Sequence, residues 1–142
     1  MKEHFSNQIY RQPDDGTGHP RYFYVAEMVK FAELHLPVDG IKADLTKAIG
    51  LVEAGIVDPS HLKNVDFTNF APVVAALGVT AQNETLIIDG NHRYVAATIS
   101  MSEQGIDEPI PAHLLDREHW ERYIVPPHLV PLMGIRDHTG PQ

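Results

Sequence analysis

Between residues 85 and 105 the sequence changes its hydrophobic period without a linker, and that change limits the folds open to the chain. Thr85, Leu86, Ile87 and Ile88 (TLII) form a short run of strand length that ends at Asp89 and Gly90. Directly beyond it Val95, Ala96 and Ile99 share one helical face in a segment from near Asn91 to about Glu103, with Gly105 past its end. A strand that feeds a helix through one glycine belongs in a sheet with helices packed against it.

The remaining segments supply that sheet and its cover. Residues 71–77 (APVVAAL) read as a second strand stopped by Gly78, and residues 110–115 (IPAHLL) as a final one. Pro111 places the final strand at an edge or near its own start. Leu45, Ala48, Ile49 and Val52 predict a helix with Asp44 as its N-cap and Gly55 as its stop. Residues 22–36 (YFYVAEMVKFAELHL) are rich in aromatic and branched side chains and end at Pro37, which predicts extended structure, including a strand for the second half; MVKFAEL alone could be helical. Asp116 could cap a short helix through Tyr123 that stops before Pro126 and Pro127, with Trp120 and Tyr123 as core anchors. The expected fold is α+β, a small mixed sheet with packed helices.

With 142 residues, 43% hydrophobic and 21% charged, the chain has the material for one domain and one core. Three stretches are expected: a mobile lead-in over 1–20, rich in Asn, Gln, Asp and Gly, a folded domain over 21–125, and a Pro-rich tail over 126–142 that could cover a groove or a protein partner. No cysteine is present, which excludes disulfides, thiolate metal sites and a cysteine nucleophile. Neither a signal-like apolar run nor a stretch of about 18 apolar residues occurs, so a cytoplasmic protein without a membrane role is expected. A formal net charge of -8, with Lys42, Lys47, Lys63, Arg117 and Arg122 interleaved among acids, argues against duplex DNA as a partner.

Chemistry concentrates in residues 86–97 (LIIDGNHRYVAA). The first N–H groups of a helix lack internal acceptors, and the helix dipole adds partial positive charge there, so such an end suits an anion. Gly90 permits close approach, His92 can donate a ring N–H, and Arg93 carries a planar fork suited to two phosphate oxygens. Together with Asn91 they predict a phosphate cradle. The same residues also fit a structural role, with Asp89 and Gly90 as a turn, Asn91 as a cap, and His92 and Arg93 in solvent. A cation in a first helical turn is unfavourable without an anion, so replacing Arg93 by Ala is expected to leave folding unchanged or slightly improved while weakening phosphate binding about 10- to 150-fold.

The run DGNHRYVAA resembles the signature of the ParB/sulfiredoxin-like superfamily, in which a strand, a Gly-containing loop, a His-Arg or Arg-Arg pair and a helix follow one another. Weaker resemblance extends over about 100 residues, from a strand ending at Leu36, Pro37 and Val38 to the strand ending at Leu115. It implies that Gly90, Asn91, His92 and Arg93 bind the phosphates of a nucleoside di- or triphosphate. Asn91 stands where sulfiredoxins carry their catalytic cysteine, which excludes sulfinic-acid reduction. The Glu-Arg-Arg loop and helix-turn-helix of partition proteins are also missing. The Asp-Gly-x-His-Arg form looks closer to stand-alone ParB-like members, a group that includes nucleases and an ADP-dependent kinase of free serine.

Asp89 beside a phosphate chain suits a Mg²⁺ ligand or a general base, and equally a residue that caps the helix or orients Arg93. Asp44 is foremost a helix cap and secondarily a second catalytic acid, loosely matched in the kinase-like subgroup; Asp39 and Glu33 are weaker candidates. His113 and His119 flank Asp116, a small metal set only if strand and helix fold back on each other, and no HExxH motif occurs. The leading expectation is a Mg²⁺-dependent phosphotransferase or NTP hydrolase. The alternatives are a non-catalytic nucleotide-sensing or protein-interaction module and a ParB-like nuclease or DNA-binding accessory protein.

Overall fold

The computed structural model describes residues 9–12, 19–62, 67–79 and 83–133. Within them the strands are β1 (Ile9–Gln12), β2 (Arg21–Tyr24), β3 (Asp39–Ile41), β4 (Val73–Ala76), β5 (Leu86–Asp89) and β6 (Ile110–Leu115). The helices are α1 (Val25–His35), α2 (Leu45–Glu53), α3 (Asn91–Gln104) and α4 (Arg117–Trp120), joined by short 3₁₀ turns such as Pro59–His61 and Glu121–Tyr123. The fold is mixed α+β, with a four-stranded sheet in the order β3-β6-β4-β5 and a separate β1-β2 hairpin. In the larger sheet β4 runs parallel to β6, while β3 and β5 are antiparallel to their neighbours.

The period of two along the strands sorts their side chains onto two faces. Val73, Ile87, Ile110 and Ala112 pack with Ala48 of α2 and Tyr94, Val95, Ala97 and Met101 of α3. Val74, Ala76, Ile88 and Leu115 point the other way, into a cluster with Phe23, Met28, Ala32 and Trp120. Because both faces are covered, β4 is buried at every position, and its run reads as continuously apolar rather than alternating. Trp120 is fully buried and donates its indole N–H to Leu77 O at 2.8 Å, as expected of a core anchor; Tyr123 lies part-buried against the same cluster.

The second half of residues 22–36 is a helix and not a strand. Met28 and Ala32 are buried, and Val25, Val29 and Leu36 pack beside them, which is a helical stripe at i, i+3, i+4, i+7 and i+11. Branched and aromatic content points to extended structure, but the burial period decides. The strand that the resemblance ends at Leu36, Pro37 and Val38 is likewise absent: the helix α1 occupies Val25–His35, and the next strand, β3, begins at Asp39. Within the stretch expected as a mobile lead-in, Ile9–Gln12 pairs antiparallel with Arg21–Tyr24 and Gln12 is buried. The other polar residues of that stretch, 1–8 and 13–18, lie outside the described residues, as does the tail from 134 onward. From 127 to 133 the tail forms two 3₁₀ turns, in keeping with its prolines.

Pro111 sits in an interior strand, opposite Gly40 of β3, but it is the second residue of β6 and precedes the β4 ladder that starts at Ala112. Its missing N–H therefore removes no bond to β4. No helix among the described residues is long and apolar enough to cross a membrane.

Candidate functional site

The turn from β5 into α3 is built around Gly90, whose φ of +95° is the left-handed region that side chains disfavour. A Cβ here would come within 2.8 Å of both Arg93 Nη2 and Val73 Cγ1. Glycine is required both by the backbone conformation and because the Arg93 guanidinium lies across it. Gly90 is also the N-cap of α3, and no side chain caps the helix. The first bond of the helical ladder runs from Tyr94 N to Gly90 O at 2.8 Å, so the backbone N–H groups of Asn91, His92 and Arg93 precede it. First-turn N–H groups without a capping side chain, at the positive end of a helix, are the physical basis of an anion site.

Arg93 turns one edge of its fork onto the protein. Its Nε donates to Ala71 O at 3.1 Å, and its Nη2 donates to Pro72 O at 3.2 Å and to Asp89 Oδ2 at 3.3 Å. That edge of the guanidinium clamps the approach to β4 onto the turn, and Asp89 balances its charge with both side chains partly exposed. Nη1 makes no hydrogen bond among the described residues. The Nε–Nη2 edge that the two-pronged phosphate contact expected from the sequence could use is thus engaged by the protein itself. Arg93→Ala would remove two tertiary contacts and the i,i+4 pair with Asp89, so a stability cost is expected in place of the unchanged folding argued from the helix dipole alone.

The other residues of the motif divide between the turn and its surroundings. His92 is exposed, and its Nε2 accepts the backbone N–H of Asp58 at 3.2 Å, which draws the 3₁₀ turn at Pro59–His61 towards the start of α3. Asn91 does not cap the helix, since its amide folds back and donates to Ile87 O at 3.3 Å. Tyr94, fully buried, donates to Lys42 O at 2.7 Å and accepts from Asp44 N at 3.0 Å, joining the start of α2 to α3. Burial raises its phenol above the ordinary value.

Asp44 is the N-cap of α2, its Oδ1 accepting from Lys47 N at 3.2 Å. Its carboxylate thus has the capping role that the sequence favours, and only its backbone N–H meets α3. Asp58, which sequence reasoning does not single out, stands nearer the candidate turn through His92, while its own carboxylate accepts from Ser60 N and Oγ. The Asp58-Pro59 pair is a legible cap signal, but nothing in the sequence joins it to a histidine 34 residues further on. In sequence Lys47 is one of several scattered cations. In the fold its Nζ donates to Thr85 O at 2.7 Å, and desolvation holds its ammonium below the ordinary lysine value against the pull of Glu84 and Asp44.

A metal held by protein ligands alone finds no set of three or more His, Asp or Glu among the described residues. His113 and His119 do not form a set with Asp116: His113 Nδ1 turns to Leu36 O and Pro37 O at 3.1 and 3.3 Å, and only His119 lies against Asp116, at 2.9 Å. Mg²⁺ carried on phosphates needs as little as one carboxylate, and Asp89, with one oxygen engaged by Arg93, fits that lesser demand. Comparison with protein-family models, with curated proteins and with solved structures finds no match to this chain.

Proposed function

We propose that this chain is a ParB/sulfiredoxin-like domain that binds the phosphate of a nucleotide at the turn between β5 and α3. The observation that carries the reading is the start of α3, whose first-turn N–H groups no side chain caps and where the Arg93 guanidinium lies against Gly90. In this reading the N–H groups of Asn91, His92 and Arg93 hold phosphate oxygens and Nη1 adds one charge-assisted bond. Asp89 keeps the guanidinium in place, and its other oxygen would hold Mg²⁺ that arrives with the phosphates and offsets their charge.

A phosphotransferase or NTP hydrolase reading rests on Asp89 as its acid. The capping contact of Asp44 favours a binding module over a two-acid catalyst. The test is calorimetric titration of the parent, Arg93→Ala and Asp89→Asn with ADP and ATP, with and without Mg²⁺, followed by an assay for phosphate release. Loss of the Nη1 bond should weaken binding about tenfold in Arg93→Ala, the low end of the expected range. Asp89→Asn should retain nucleotide binding and, if the domain turns over, lose Mg²⁺-dependent release. No binding by the parent, or unchanged affinity in folded Arg93→Ala, contradicts the phosphate reading.

A further inference from the structure

We propose that Lys47 and Asn91 guard the open edge of β5 against pairing with a second copy of this chain. β5 is the last strand of the order β3-β6-β4-β5, and no strand among the described residues pairs with its outer side. The outward carbonyls follow from the ladder. Glu84 O accepts from Val79 N at 3.0 Å on the inner side, and Leu86 is registered opposite Ala76. Alternation along an antiparallel strand then turns the carbonyls of Thr85 and Ile87 outward.

Those two carbonyls are the ones that helix side chains occupy. Lys47 of α2 donates Nζ to Thr85 O at 2.7 Å, and Asn91 at the start of α3 donates Nδ2 to Ile87 O at 3.3 Å. Two elements from different parts of the chain thus converge on alternate acceptors of one edge. An incoming strand would have to displace both donors and strip water from an ammonium, which is how natural sheets blunt exposed edges. A register shift in the β4–β5 pairing between Val74 and Ala75 adds a local bend that further disfavours a continuous added strand. The partner kept away is a second copy, because every copy carries the same edge and β5 against β5 can close as a two-fold antiparallel pair. This role is independent of phosphate binding, and it gives Asn91 and Lys47 a task that the motif does not.

The test removes the donors while keeping side-chain bulk. Lys47→Met, Asn91→Leu and the double variant are compared with the parent by sedimentation equilibrium across a wide concentration range, with hydrogen exchange read at the Thr85 and Ile87 amides. The double variant should self-associate about tenfold or more tightly than the parent. Exchange at those two amides should slow as its concentration rises, and each single variant should show part of the shift, so the singles carry the test if the double variant does not fold. Folded variants that associate no more tightly than the parent overturn the proposal. Association that leaves exchange at Thr85 and Ile87 unchanged overturns it as well.

Discussion

Gly90 and Arg93 depend on one another at the scale of single residues. The left-handed turn puts the guanidinium where a side chain at position 90 would begin, and the guanidinium reaches Ala71 O, Pro72 O and Asp89. Gly90→Ala should destabilise the fold by about 1–3 kcal/mol, since it combines backbone strain with a clash against Val73. Equilibrium urea unfolding measures that directly, and a loss below the resolution of the method would mean that the turn relaxes freely. Arg93→Ala should itself cost about 1–2 kcal/mol, because the contacts are charge-assisted but the side chain is partly exposed. The sequence makes this position legible as a cation at a helix start, where an anion is the natural complement. It cannot reveal the Ala71 and Pro72 carbonyls, which are 22 and 21 residues away and lie on main-chain atoms that carry no sequence signature.

Among the elements, those that bury one well-marked stripe or end in local chemistry are readable: α2 with its Asp44 cap, α3 between Gly90 and Gly105, and β6 over Ile110–Leu115. α1 misleads because its branched and aromatic residues suit a strand, while the stripe through Met28 and Ala32 that fixes the helix is set by packing on the sheet. Met28→Ala should therefore cost about 2–5 kcal/mol, as expected for a fully buried methionine, and calorimetric melting would show it. β1 (IYRQ) and β3 (DGI) escape a sequence reading because, unlike the equally short VVAA of β4 and LIID of β5, they carry no apolar run to set them apart from loop composition.

The bond from Tyr94 to the start of α2 makes a pH-dependent prediction about how these elements are joined. Burial holds the phenol above 10.0, so the folded chain keeps a proton that the unfolded chain releases. That contribution is fully present below pH 10 and is lost as pH rises through the higher folded value. Tyr94→Phe should cost about 1–3 kcal/mol at neutral pH by stranding Lys42 O and Asp44 N, and the gap from the parent should narrow above pH 10. Urea unfolding at both pH values checks it, and a gap that stays constant would assign the phenol no titration linkage. Lys47 acts in the opposite sense: its lowered folded value makes the chain gain stability as pH rises towards 10.5, so the comparison must be made between variant and parent at each pH.

For the whole molecule, the sheet separates two packed layers, with α2 and α3 on one side and α1, the β1-β2 hairpin and α4 on the other. The hairpin is tied to the distal chain by Val125 N to Tyr22 O at 2.7 Å, so the segment after α4 closes the second layer. The candidate site lies where β5 ends and α3 begins, bordered by the 3₁₀ turn held through His92 and by the entry to β4 held through Arg93. In the proposed phosphate reading, the helix N–H groups are the principal ligand donors. The most direct measurement of that role is a titration of the ¹⁵N-labelled parent with ADP, following every backbone amide by NMR. Phosphate binding at this turn predicts saturable shifts centred on the amides of Asn91, His92 and Arg93, reproduced in part by inorganic phosphate. Saturable binding that moves amides elsewhere and leaves these three in place, or no binding at all, would contradict it.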